Sequence, residues 1–435
     1  MSLFSLGQNT FFAAQRLLQT AGVFATKLPQ WLALEAENSL AAAALLREIF
    51  EELGASYIKL GQLIASTPGV FPPHYVREMQ RCLDQTKPIP FSEMEKIISQ
   101  EFAGGERDIF SEIEETPLAS ASIAQVHAAR LKNGQEVVLK IQKPGIEEII
   151  TADMNLMYLA SLIFEKLFAS RNLGLTEMVH VLQQTTAEEL DFIREGQNLR
   201  EFGDFLKKLG EERVCVPYLY EQYSTRRILT MERLYGYPIT DLDTLGRFSK
   251  DPRETLILAL NTWTLSLFHC GFFHADVHAG NLLILEDGRL AFIDFGIVGR
   301  MESKTWLSLV KLVKALSEED YHMLATSLID LGATKHDINK DDFAKELATI
   351  FWDFRQAEIK INETGALRDD EVNELMLKLA ELSTKNGLKI PRGFMLLLKQ
   401  MLYFNRYIQI LAPDLTFSSS PELAFSQLHL KDSFS

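Results

Sequence analysis

With 435 residues, the chain can hold two or three ordinary domains, or one two-lobed enzyme with extensions. Its 47% hydrophobic and 24% charged residues describe a globular chain with a sizeable core. A formal net charge of −15 without any basic tract argues against a nucleic-acid partner, because phosphate contacts need clustered Lys and Arg. Three widely spaced cysteines, Cys82, Cys215 and Cys270, form no C-x-x-C pair, which fits a reducing compartment rather than a disulfide framework.

Met1 to Leu34 carries Arg16 and Lys27 but no acid, and Phe11, Phe12, Leu17, Leu18, Val23 and Phe24 recur at helical spacing. It lacks the charged start and long apolar centre of a secretory signal. A helix packed on the fold is expected there, with an interfacial membrane helix or a transit peptide as alternatives. Residues 35–66 read as helical, with Leu40, Leu45, Ile49, Leu53, Leu60 and Ile64 in one stripe, before Pro68, Pro72 and Pro73 break the chain. Short helices are expected over His74–Asp84 and Ser92–Phe102, the second opened by Ser92 with Glu95 in capping-box spacing.

The texture changes near residue 116. Ile123–Leu131 and Glu136–Ile141 read as strands around Asn133-Gly134, a hairpin signal. Helical periodicity occupies residues 152–209, and β-rich runs follow at Val214–Tyr220 and Arg226–Met231. From Thr255 the chain is mostly helical, except for strands Leu282–Leu285 and Arg289–Ile293 around Asp287-Gly288. The uncharged stretch Thr255–Phe273 contains Asn261, Ser266, His269 and Gly271, so a buried helix is expected rather than a membrane span. Phe394–Leu411, interrupted by Lys399, Asn405 and Arg406, is read as a core helix as well.

The second hairpin carries the chemistry. His274-Ala275-Asp276-Val277-His278-Ala279-Gly280-Asn281 precedes it and Asp294-Phe295-Gly296 follows. Phosphoryl transfer needs an acidic residue to orient the attacking oxygen and oxygen ligands for magnesium on the phosphates. Asp276 suits the first role, as catalytic acid/base; Asn281 and Asp294 suit the second, as metal ligands. A tripeptide alone is weak evidence, whereas the paired motifs around a hairpin are specific. Lys140, ending the first hairpin, is placed to contact α- and β-phosphates of ATP. Its acidic partner is sought among Glu188, Glu189, Asp191 and Glu195, of which Glu188, Asp191 and Glu195 share one helical face at i, i+3 and i+7.

In this order the motifs resemble the UbiB family of atypical kinases, also called the AarF family. Lys59-Leu60-Gly61-Gln62 matches its K-x-G-Q motif, Ala119 to His127 its alanine-rich loop, and Glu189-Leu190-Asp191 its E-x-D motif. The resemblance spans about residues 45–310. It implies an α+β, two-lobed protein-kinase-like fold with a helical extension over residues 1–105, an N-lobe over 106–235 and a mostly helical C-lobe over 236–435. It also implies ATP and magnesium as cofactors, with Ala119, Ser120, Ala121, Ser122, Lys140, Glu195, Glu232, Lys59, Gln62, Glu189 and Asp191 as nucleotide-binding candidates. Proteins of the family support ubiquinone or other prenyl-lipid metabolism at membranes. Peripheral membrane association, lipid- or quinone-pathway partner proteins, and a location at the inner face of a bacterial membrane, or the matrix side of an organelle, are therefore expected.

The chain departs from ordinary kinases. Ala275 stands where Arg usually follows the loop histidine, and His278 stands where Lys usually follows the aspartate by two residues. Ala121 and Ser122 keep a Cβ that a glycine-rich loop would lack. After Gly299-Arg300 a helical pattern begins almost at once, leaving little room for an activation loop. These features predict nucleotide binding with weak or conditional phosphoryl transfer. Two other readings are an ATP-gated scaffold without turnover, and a metallohydrolase using His274, Asp276 and His278 as ligands.

Overall fold

The computed structural model describes residues 3–424, apart from 66–70, 80, 83–86, 168–174, 250, 301–307, 332, 335–337, 362–377, 379–381, 416–419, 421 and scattered single or paired positions between 309 and 391. In chain order the elements are α1 (Leu3–Glu37), α2 (Ser39–Leu53), α3 (Ala55–Ala65), α4 (Pro73–Met79), α5 (Phe91–Glu101), α6 (Glu106–Ile109), β1 (Phe110–Ser120), β2 (Ala124–Leu131), β3 (Glu136–Gln142), α7 (Ile146–Leu167), α8 (Leu175–Glu189), α9 (Phe192–Leu209), β4 (Val214–Cys215) and β5 (Ile228–Glu232). They continue as β6 (Gly236–Pro238), α10 (Leu242–Phe248), α11 (Pro252–His269), β7 (Phe272–His274), β8 (Leu282–Leu285), β9 (Leu290–Phe292), β10 (Val298–Arg300), α12 (Tyr321–Leu331), β11 (Ala333–Thr334), α13 (Lys340–Ile361), β12 (Leu388–Lys389) and α14 (Arg392–Leu411). Two compact units result, one of residues 1–196 and 218–233, the other of 197–217 and 234–435. The helices of residues 1–105 thus group with the strands that follow, and 197–217 group with the second unit.

The first unit is built on the antiparallel sheet β1-β2-β3-β5. Alternation along β3 sends Val137, Leu139 and Ile141 to a face covered by Met94, Ile97 and Ile98 of α5. The intervening Val138, Lys140 and Gln142 face the other way. A second core joins Ile49, Phe50 and Leu53 of α2 and Ile64 of α3 to Ile150 and Met154 of α7, Leu182 of α8 and Ile123 beside β2. Helix α1 is tied to this core by Val23 and Phe24 and by a buried, two-pronged pair in which Arg16 Nε and Nη2 donate to Asp153 of α7, both at 2.8 Å. Arg16 also donates to Leu53 O at the end of α2. That satisfies the expectation of a packed helix, while Leu17 and Leu18 face solvent.

Several expectations change. The helix read over 35–66 is broken at Gly54, whose φ of 87° suits glycine, and Leu40 leaves the stripe for solvent. Helix α5 starts one residue before Ser92, after Pro90, so the capping box does not form. The helix read over His74–Asp84 ends at Met79, with 83–86 and Pro68 outside the described residues. Val214–Tyr220 yields the short β4 and an isolated bridge between Leu219 and Met231.

The second unit holds the sheet β4-β9-β8-β6, the pair β7-β10 and the helices from α10 onward. The β8–β9 hairpin turns at Asp287-Gly288, with φ 87° at Gly288, and Asp287 Oδ1 accepts from Arg289 N at 3.0 Å. Helix α11 is buried as expected, Trp263 packing on Phe273 and on Phe404 of α14. No helix among the described residues is long and apolar enough to cross a membrane.

Candidate functional site

In the first unit, Lys140 leaves β3 on the face opposite α5 and its Nζ meets Glu195 Oε1 at 2.7 Å, both side chains buried. The ammonium also lies 5.4 Å from the centroid of the Phe192 ring. Glu195 therefore is the partner among the acidic candidates. The others are dispersed, because the segment is not one helix. Helix α8 stops at Glu189, the chain turns through Leu190 and Asp191, and α9 begins at Phe192. Asp191 Oδ1 accepts from the backbone N–H groups of Ile193 and Arg194, capping α9. Glu188 reaches Arg194 at 3.4 Å, and Glu189 pairs with Lys59. Gln142, two residues after Lys140, donates to Leu190 O at 2.6 Å and Arg226 O at 3.2 Å, fixing this turn against β3. The first turn of α9 is thereby set so that Glu195 meets the lysine.

The K-x-G-Q segment lies in α3, with Lys59 buried in its pair and Gln62 one turn further on. Gly61 is required by packing. A Cβ there would sit 2.8 Å from Cys82 Sγ and 3.3 Å from Met79 Sδ and the Phe50 ring. The alanine-rich segment is a tight connection: Ala119 and Ser120 pair with Val126 and Gln125 at the end of β1, Ala121 N donates to Ala124 O at 2.8 Å, and Ser122 is buried. Glu232 ends β5, where its Oε2 accepts from Tyr218 N at 3.0 Å. Its carboxylate thus serves the strand end.

In the second unit, β7 ends at His274 and delivers Asp276, Val277 and His278 as irregular backbone before a short 3₁₀ turn ending at Asn281. His274 Nδ1 accepts from Asp276 N at 3.1 Å and Nε2 donates to Ile293 O at 3.0 Å, which fixes the neutral tautomer. Burial holds its pKa below the ordinary histidine value. Asn281 Nδ2 donates to Asp276 O at 3.0 Å, and Ile293 N donates to Asn281 O at 3.0 Å. Asp276, Asn281 and the strand leading to Asp294 are thereby tied to one another. His278 Nε2 lies 3.5 Å from Asp276 Oδ2 on the solvent side.

Asp294 adopts φ 59°, a left-handed conformation uncommon outside glycine, asparagine and aspartate. Its Oδ1 accepts from Gly296 N at 3.3 Å, while Phe295 is buried edge-on against His274 and Phe295 O accepts from Asn198 Nδ2 at 3.1 Å. Arg300, lying over the Phe272 ring, donates to Asn198 Oδ1 at 2.9 Å.

The donor set suits magnesium. With Nδ2 of Asn281 engaged, Oδ1 is the atom it has for a cation, and Asp294 adds a carboxylate; both are hard oxygen donors. Two protein ligands suffice for a cation that shares its shell with water and phosphate. Among the described residues no cluster of three or more His, Cys, Asp or Glu could hold a metal ion, and both nitrogens of His274 are used in backbone bonds. The metallohydrolase reading loses its ligands on that geometry.

Two residues of α14 went unmarked in the sequence. Gln400 and Tyr407 bond the backbone on either side of Asp276: Gln400 Nε2 to Ala275 O at 2.7 Å, Val277 N to Gln400 Oε1 at 2.9 Å, and Tyr407 OH to Val277 O at 2.7 Å. They stand more than a hundred residues away, inside a stretch that reads as a core helix.

The passage expected to run helically from Arg300 lies mostly outside the described residues, 301–307 included. Residues 81–328 match the ABC1 atypical kinase-like domain. An uncharacterized chloroplastic aarF domain-containing protein kinase of Arabidopsis thaliana is 44% identical, the alignment covering 88% of this chain and 74% of that protein. A probable protein kinase UbiB of Photobacterium profundum is 31% identical over 85% of this chain and 67% of its own length. A Mycobacterium tuberculosis protein solved in complex with erythromycin superimposes with a TM-score of 0.54 at 21% identity, covering 87% of this chain and 94% of that one, and so shares the fold. The α+β, two-lobed kinase-like fold is thus established, and the chain belongs to the ABC1 atypical kinase-like family that includes UbiB and aarF-domain proteins.

Proposed function

We propose that this chain binds ATP with magnesium and carries out slow or conditional phosphoryl transfer, to water or a small molecule rather than broadly to proteins. The observation that carries this reading is the bonded frame around Asp276, with Asn281 holding its carbonyl and Asp294 in a left-handed backbone. Asp276 takes the proton of the attacking hydroxyl or water. Asn281 and Asp294 hold the magnesium, which when bound offsets charge on the phosphates. Lys140, oriented by Glu195, contacts the α- and β-phosphates. Turnover is slow because Ala275 and His278 replace two cations of ordinary kinases.

Steady-state ATP hydrolysis by wild type and Asp276→Asn, with and without lipid, tests the reading. A fall in rate of at least about a hundredfold in the variant supports it. Equal rates would leave ATP-gated scaffolding as the function.

The likeness to UbiB proteins supports a role in ubiquinone or other prenyl-quinone lipid metabolism, and we extend the proposal to peripheral membrane association at the inner face of a bacterial membrane or the matrix side of an organelle. Flotation with anionic, quinone-containing liposomes tests this, and a protein wholly retained in the supernatant would refute it.

A further inference from the structure

Every backbone polar group from Ala275 to Val277 is bonded. Ala275 N donates to Ile297 O, Asp276 N to His274 Nδ1, and Asp276 O accepts from Asn281 Nδ2. The remaining three, Ala275 O, Val277 N and Val277 O, are bonded by Gln400 and Tyr407 of α14. One amide thus donates to the carbonyl before Asp276 and accepts from the N–H after it, reproducing the two-bond pairing of an antiparallel strand. Gln400, Tyr407, Ala275 and Val277 are all buried, so water cannot substitute. The arrangement also answers a gap in the loop. Ala275 is too small and too enclosed to brace it by its own side chain, and the brace comes from a helix more than a hundred residues later.

The geometry points to Gln400 and Tyr407 as the positioning residues of Asp276, fixing the peptide units on both sides of the aspartate so that its carboxylate is presented in one orientation. Neither touches a reacting atom. The inference rests on the catalytic reading of Asp276, and the readouts below separate the two. Gln400→Met keeps the side chain's length and removes both bonds. Tyr407→Phe removes one and keeps the ring, and it supplies the same readouts should Gln400→Met not fold. Ile408→Ala truncates a buried neighbour on the same helix and serves as the control for general loosening.

The full-length variants are compared by hydrogen exchange, by binding of a fluorescent ATP analogue with magnesium, and by steady-state hydrolysis. Exchange in the peptide spanning 275–277 should accelerate by about tenfold in Gln400→Met, and less in Tyr407→Phe, beyond any change in Ile408→Ala. With Asp276 displaced, kcat should fall by about tenfold or more while analogue affinity stays within about threefold. Unchanged loop exchange, or acceleration matched by Ile408→Ala, overturns the positioning role. A fall of affinity and kcat together, in step with the control, overturns it too. If Asp276→Asn hydrolyses ATP like wild type, the catalytic reading fails, while the exchange result still decides whether α14 sets the loop.

Discussion

Lys140 Nζ lies 2.7 Å from Glu195 Oε1 and both side chains are buried, so neither charge is readily hydrated if its partner is lost. Removing one member of such a pair costs about 3–5 kcal/mol, whereas replacing both with apolar groups of similar volume is often near neutral. Glu195→Ala should therefore lower the urea-unfolding free energy by that amount. Lys140→Met combined with Glu195→Leu should recover most of it while abolishing binding of an ATP analogue. A double variant as unstable as Glu195→Ala would show that the pair itself, rather than the loss of one buried charge from it, governs stability here.

Gly61 of the K-x-G-Q segment is fixed by space. The φ there is ordinary for a helix, but an added methyl would sit 2.8 Å from Cys82 Sγ and 3.3 Å from two further buried groups. Overpacking at such a site costs about 1–3 kcal/mol, and we expect Gly61→Ala to lose that much in chemical denaturation. The loss should shrink in a Cys82→Ala background, which removes the atom most closely approached. An undiminished loss in the double variant would point away from the cysteine contact.

What could be read from residues alone followed the range of the interactions. The β8–β9 hairpin was legible because Asp287-Gly288 is a local turn code, and the lysine strand because Asn133-Gly134 is another. Strand β1 was not, since acids and Pro117 occupy it and register shifts break its alternation. The single-helix reading of 188–195 failed because Leu190 and Asp191 form a turn, and a capping aspartate has no periodicity to betray it. The nearness of Asp276, Asn281 and the strand leading to Asp294 is legible in their fixed spacing around the hairpin. Gln400 and Tyr407 escaped because their partners are backbone atoms over a hundred residues away, a relation that leaves no local pattern.

Asp294 separates conformational from chemical demands. Its φ of 59° favours Asn, Asp or Gly and is strained for a β-branched residue by about 1–3 kcal/mol. Asp294→Asn should preserve the melting temperature yet raise the magnesium concentration needed for ATP-analogue binding by about tenfold, because a carboxylate becomes a neutral amide. Asp294→Val should lose both stability and the magnesium dependence. If Asp294→Asn binds the analogue with unchanged magnesium dependence, Asp294 is a conformational residue only.

Acid sensitivity follows from His274. Its Nδ1 accepts from Asp276 N and its Nε2 donates to Ile293 O, so protonation would break a bond beneath the catalytic candidate. Burial lowers its pKa below the unfolded-chain value of about 6.5. Between those two values the unfolded chain binds a proton that the native chain does not, so stability rises with pH in that window. The contribution of the neutral ring is fully present above about pH 6.5 and is lost as the pH falls below it, at up to about 1.4 kcal/mol per pH unit. His127, buried and donating from Nδ1 to Glu114 O, is shifted in the same direction. Urea midpoints from about pH 8 down to about pH 5 should fall more steeply for wild type than for His274→Phe, which is destabilised throughout but lacks the titrating ring. Parallel slopes in the two proteins would place the acid sensitivity elsewhere, in His127 or in the carboxylate pairs.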